Sequence, residues 1–190
     1  KKLVNSNFSL LLTKRLMVSS KYLAISAIFA ALNLRIDQVM INPLANSYEA
    51  GIYAASTTLC TFFAFIPASF IAVMYPKLIN SFGASLDLYY NQMKLYCNIV
   101  SGMFYLIAIP VLIESSNLVQ FVYGSQFLDV VPVMNLQIFA SLFLFTRMLT
   151  SRHLLIANLF KYSLASQFGA FIVNIILNIL LIPGYGASGA

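Results

Sequence analysis

"AGIYAASTTLCTFFAFIPASFIAVMY", residues 50–75, runs without one charged side chain. A helix crosses a hydrocarbon core roughly 30 Å thick with about 20 mostly apolar residues, so this run is long enough to span. Four more runs of the same kind lie at roughly 20–43, 94–113, 131–150 and 162–182. All five are continuous. A transmembrane barrel would instead alternate apolar and polar residues in pieces of about ten. The fold class expected is an all-α membrane protein with five transmembrane helices, residues 1–19 forming a cytoplasmic loop and 20–190 the helical lobe.

Composition agrees. Of 190 residues, 61% are hydrophobic and 8% charged, with a mean hydropathy of +0.87. Soluble domains carry about 25% charged residues, so this chain lacks the polar surface of a water-soluble globule.

The loops give an orientation. Five spans put residues 1–21, the loop near 76–94 and the loop near 147–161 on one side. That side holds Lys1, Lys2, Lys14, Arg15, Lys21, Lys77, Lys94, Arg147, Arg152 and Lys161. The opposite side, near 44–49, 114–130 and 183–190, holds no cation but has Glu49, Glu114 and Asp129. The cation-rich side is expected to be cytoplasmic. The net charge of +6 then needs no nucleic acid as partner.

The start, "KKLVNSNFSLLLTKRLMVSSK", has neither the long apolar region nor the cleavage site of a secretory signal. It also lacks an initiator methionine, and "IPGYGASGA" stops in a turn; a fragment of a longer chain is expected. Cys60 and Cys97 make no metal-ligand spacing and read as buried free thiols. His153, the lone histidine, has no catalytic partner nearby in sequence. No metal, no cofactor and no enzymatic role are expected. The stretch 114–132, "ESSNLVQFVYGSQFLDVVP", is too polar to span; it reads as a short interfacial or re-entrant helix broken near Gly124.

Polar residues inside the spans carry the functional reading. Pro67 and Pro110 fall within the second and third spans, as hinges or as packing kinks. Ser163, Gln167, Asn174 and Asn178 are spaced to share one face of the fifth span, which must meet protein or water. Asn135, Gln137 and Ser141 add polar groups to the fourth. In the first span, "ALNLRIDQVMIN" (31–42) contains both Arg35 and Asp37. Two residues along a helix is a turn of about 200°, so these two point apart, whereas Asn33 and Asp37 share a face. Either the charges reach the interface or a partner helix, or they face a water-filled cavity. There Arg35 would attract an anion such as a phosphate, and Asp37 would bind a proton or Na+ or orient the arginine.

"LRIDQVMINPLANSYEAGIYAAS" (34–56) resembles the seventh span and following turn of Wzx-type polysaccharide flippases. These belong to the multidrug/oligosaccharidyl-lipid/polysaccharide (MOP) exporter superfamily. The matching residues are Asp37, Gln38, Glu49, Gly51, Ile52 and Tyr53. "IPASFIAVMYPKL" (66–78), "YGSQFLDVVPVM" (123–134) and "LNILLIPGYGASGA" (177–190) are similar to later segments, in family order. The resemblance implies an incomplete second lobe of a twelve-helix transporter in the bacterial cytoplasmic (inner) membrane. It implies movement of undecaprenyl-diphosphate-linked oligosaccharide across that membrane for O-antigen or capsule synthesis. A polysaccharide polymerase and a chain-length regulator are the implied protein partners. Arg35, Gln167, Asn174 and Asn178 become candidate substrate contacts, and Asp37 and Asn33 candidate coupling or structural residues. Arg35 lies outside the matched motif, so its role rests on charge alone. A multidrug or cation exporter, or a lipid II flippase, of the same superfamily is the nearest alternative. A membrane polysaccharide polymerase or glycosyltransferase is an alternative of another class, and a membrane scaffold a third.

Overall fold

The computed structural model describes residues 10–190, with side chains described from Ser20 onward. The expected loop 1–19 therefore lies outside the residues described with their side chains, although 10–19 continue the first helix. Among the described residues every regular element is helical. The long helices are α1 (Leu10–Asn33), α3 (Ser47–Ala84), α4 (Leu86–Ile113), α6 (Val130–Ile156) and α7 (Phe160–Tyr185). The short ones are α2 (Ile36–Leu44) and α5 (Ser115–Tyr123). Four segments are long and apolar enough to cross a membrane, and α1 with α2, bent by 41°, make a fifth as one broken span. The chain is a multi-pass membrane protein of four or five spans.

The first span breaks at Leu34 and Arg35, where neither proline nor glycine stands. Partners on α7 account for the break. Asn33 donates to the Gln167 carbonyl at 3.0 Å on one side of it, and Asn174 donates to Asp37 at 2.8 Å on the other. Holding both ends of the break against α7 turns Arg35 outward. By contrast, α3 and α4 continue through Pro67 and Pro110, and Pro67 is fully buried.

The expected loop near 76–94 is mostly helix. At about 1.5 Å per residue α3 is about 57 Å long, well beyond the hydrocarbon thickness. Ser85 ends it and caps α4, its hydroxyl accepting the Leu88 N–H at 3.2 Å. The extension holds because it has its own core: Leu78 and Tyr89 are fully buried. The Tyr89 hydroxyl pairs with His153 Nδ1 at 2.6 Å, which gives the lone histidine a partner on α6. Tyr89→Phe keeps the ring and removes the bond. It is expected to cost about 1 kcal/mol, read as a lower midpoint of thermal unfolding in detergent.

The bundle packs as two groups. α3 lies against α4 and α6, while α7 lies against α1; α2 touches both α3 and α7. Large apolar side chains such as Phe62, Phe65 and Leu106 point away from the bundle, where lipid meets them. The ends are chemically distinct. At one, Lys21 and Lys161 both lie over the Tyr22 ring and Arg152 over Tyr75. At the other, Tyr48 donates to Asp129 at 2.5 Å and Glu49 accepts the Ala187 N–H at 2.7 Å. The segment 115–127 forms α5 and a short 3-10 turn divided at Gly124, the expected short helix with its break.

Gly186 follows α7 at φ +60°, and a β-carbon there would stand 2.5 Å from a Glu49 carboxylate oxygen. Gly186→Ala is expected to destabilise the fold by about 2–3 kcal/mol, from backbone strain plus displacement of that carboxylate. Adding Glu49→Ala should recover part of the loss in a double-mutant cycle. Strict additivity would place the carboxylate away from Gly186.

Candidate functional site

The polar stripe on α7 meets two separate partners, one toward each end of the bundle. Toward the acidic end, Asp37 Oδ1 accepts from Asn174 at 2.8 Å and from Asn178 at 2.9 Å. Its other oxygen accepts from the Tyr53 hydroxyl at 3.0 Å, and Asn178 also donates to Asn174 Oδ1 at 3.2 Å. Asn178 is 2% exposed. α2, α3 and α7 thus converge on one carboxylate, and all three of these bonds come from neutral donors. Among the described residues this carboxylate touches no countercharge, and neutral donors alone satisfy it.

Toward the cation-rich end, the Arg147 guanidinium donates to Gln167 Oε1 at 2.8 Å, and Ser26 pairs with Ser163 at 2.8 Å. These groups border a cavity of about 450 Å³ between the two helix groups, with walls from α1, α3, α6 and α7. Its surface is apolar at Leu23, Ala30, Ile71 and Leu144 and polar at Arg147 and Gln167. Arg147 is half-buried. A guanidinium has five donors, and the Gln167 bond uses one. The cavity therefore pairs an apolar wall with a cation that still has hydrogen bonds to give, a chemistry suited to an anionic amphiphile.

The candidate residues separate accordingly. Gln167 lines this cavity. Asn174 and Asn178 do not; they hold Asp37, about 10 Å or more further along α7 at 1.5 Å per residue. Asn33 braces the helix break rather than touching Asp37. Arg35 is exposed and reaches only toward Gln38, at 3.4 Å, and it is not part of the cavity wall. With Gln38 and Asn42 it forms a polar stripe on the outward side of α2. Pro67 and Pro110 lie within unbroken helix and outside the cavity wall. Gln137 bonds Ser56 at 3.0 Å and Thr57 at 3.1 Å, locking α6 to α3.

Arg147 and Tyr53 were not among the candidates. Arg147 stands at the edge of the fourth run and counts there as a loop cation. The structure carries α6 on to Ile156, so Arg147 lies inside it, about 14 Å from its end at 1.5 Å per residue. Tyr53 stands in the Gly-Ile-Tyr segment, but only the fold shows which carboxylate its hydroxyl meets. Comparisons with models of protein families, with curated proteins and with solved structures give no significant match.

Proposed function

We propose that this chain forms the second lobe of a MOP-type flippase that carries undecaprenyl-diphosphate-linked oligosaccharide across the bacterial cytoplasmic membrane. The observation that carries the reading is Arg147, half-buried beside Gln167 on the wall of a cavity that has Arg152 and serines on its polar side and Leu23, Ala30, Ile71 and Leu144 on its apolar side. Passing a diphosphate through hydrocarbon is prohibitive unless the protein replaces its water and countercharge. Arg147 supplies both, a charge and several donors, at the level where a lipid of the inner leaflet presents its phosphate. Gln167, Ser26 and Ser163 supply hydroxyl and amide groups for the first sugar.

Asp37 is the coupling acid in this reading. Taking up a proton or Na+ would loosen its hold on Tyr53, Asn174 and Asn178, and so free α2 and α7 to move against each other. The stripe of Arg35, Gln38 and Asn42 faces the aqueous passage against the opposite lobe, which lets an exposed arginine sit at membrane depth without meeting acyl chains. Rocking of the two lobes then alternates access.

The test is flux. The complete two-lobed protein is reconstituted in vesicles with a fluorescent undecaprenyl-diphosphate oligosaccharide, and a lectin reads sugar at the far surface. Sugar is expected there with the protein and not without it. Equal flux of a cationic dye with no sugar movement would instead favour an exporter of the same superfamily.

A further inference from the structure

A second hollow lies on the other side of Arg147. α7 packs mainly on α1, and this leaves an open groove of about 620 Å³ between α6 and α7. Arg147, Ser151 and Gln167 border both the groove and the central cavity. The Arg147–Gln167 hydrogen bond is thus the partition between them.

The groove is polarised along the membrane normal. Its end nearer the cations holds Thr150, Ser151 and Ser166 beside Arg147, with Leu154 as the apolar exception. Its other end, toward mid-membrane, is Leu142, Phe143 and Ala170, with Thr146 donating its hydroxyl to the Leu142 carbonyl. Thr150 and Ser151 donate to backbone carbonyls of α6, at 3.0 and 2.9 Å. Arg147 is then the charged group of the groove with donors left for an anion. A fourth span of about 20 residues starting near 131 reaches its inner boundary near 150, so Arg147 sits about 5 Å inside it. An inner-leaflet lipid with phosphate at Arg147 would lay its chain on Leu142, Phe143 and Ala170.

We propose that this groove is a lateral doorway: an isoprenoid phosphate lipid of the cation-rich leaflet docks between α6 and α7, its phosphate on Arg147. Gln167 then exchanges places with the phosphate, and the same guanidinium carries the head into the central cavity while the chain stays in the groove. This rests on the flippase reading and names the side from which its substrate arrives. Charge complementarity and the polar-to-apolar order of the groove select a phosphate-bearing lipid over a peptide or a second copy of the chain.

The test is photo-crosslinking in phosphatidylcholine vesicles carrying a minor fraction of undecaprenyl phosphate. A benzophenone amino acid replaces Phe143 in the groove or, as reference, Phe62 on the lipid-facing side of α3. At 143, adducts with the isoprenoid lipid should exceed its share of the bilayer about tenfold, the factor one charge-assisted hydrogen bond supports. At 62 they should track composition. Arg147→Gln should abolish the enrichment and Arg147→Lys should retain most of it, which separates loss of charge from loss of fold. Adducts at 143 that simply track composition, or enrichment untouched by Arg147→Gln, would overturn the doorway. Ala170→Phe, which fills the apolar end, distinguishes the two readings. Sugar flux that persists at the wild-type rate in this variant removes the doorway and leaves the flippase. Enrichment at 143 in a wild-type protein that moves no sugar does the reverse.

Discussion

Arg147→Gln is expected to lower flux of the lipid-linked oligosaccharide by about tenfold to a hundredfold, the range for loss of a hydrogen bond to a charged partner. The reason is geometric. Arg147 is half-buried, faces the cavity and spends one donor on Gln167. Glutamine can still pair with Gln167, so the α6–α7 contact is kept while the charge is lost. Arg147→Lys should fall between the two, because an ammonium supplies the charge but not the planar fork that suits a phosphate. By the same logic Arg35→Gln should have a smaller effect, since Arg35 reaches only toward Gln38 on the outward side of α2. Equal losses at 35 and 147 would mean that general positive charge, not the cavity, is what matters.

Asp37→Ala is expected to be the most damaging single change to stability. It strands Tyr53, Asn174 and Asn178, three donors that converge on one carboxylate. Each orphaned donor costs about 1–3 kcal/mol, reduced here because Asn178 keeps its bond to Asn174. A net loss of about 3 kcal/mol corresponds to a fall of about 10 °C in the unfolding midpoint. Asp37→Asn retains one acceptor oxygen and should lose about a third of that, yet stop coupled transport, because a neutral amide cannot take up a proton or an ion. A variant that is stable and still driven by an ion gradient would move the coupling acid elsewhere. Thermal unfolding and gradient-driven flux, measured on the same two proteins, separate the structural part of Asp37 from the functional part.

Much of the fold is legible in the residues because lipid is an unforgiving solvent. A run such as 50–75 has no soluble use for so many apolar side chains, and five such runs fix the spans. The hairpin across 76–94 is not legible by that rule. Leu78 and Tyr89 are buried against protein within the hairpin, and hydropathy does not distinguish that from a loop. The break at Leu34 and Arg35 is hidden for a different reason: it is imposed by Asn33 and Asp37 meeting α7, residues far away in the chain.

The site divides in the same way. The spacing of Ser163, Gln167, Asn174 and Asn178 announces a shared face, and the period of a helix is enough to find it. What each residue meets requires the other helices. Arg35 draws the eye because it interrupts a long apolar run, while Arg147, near the end of its run, passes for a loop cation. Contact with Gln167 on a cavity wall, not depth, reverses the order. Likewise Glu49 gives no local sign of its contact with Ala187, although a Gly-Tyr-Gly turn near it in space supplies the positive φ that lets the backbone approach.

The central claim is that water and anions reach Arg147 inside an apolar bundle, and cysteine accessibility tests it most directly. Cys60 and Cys97 are first replaced by serine, and single cysteines are then placed at Ala27 on the cavity wall and at Phe62 on the lipid-facing side. A negatively charged, membrane-impermeant thiol reagent is applied from the cation-rich side. Rapid labelling is expected at 27, slowed by undecaprenyl diphosphate and by Arg147→Gln, and none at 62. Labelling at 27 no faster than at 62 would mean that the hollow is dry, and the account would be contradicted.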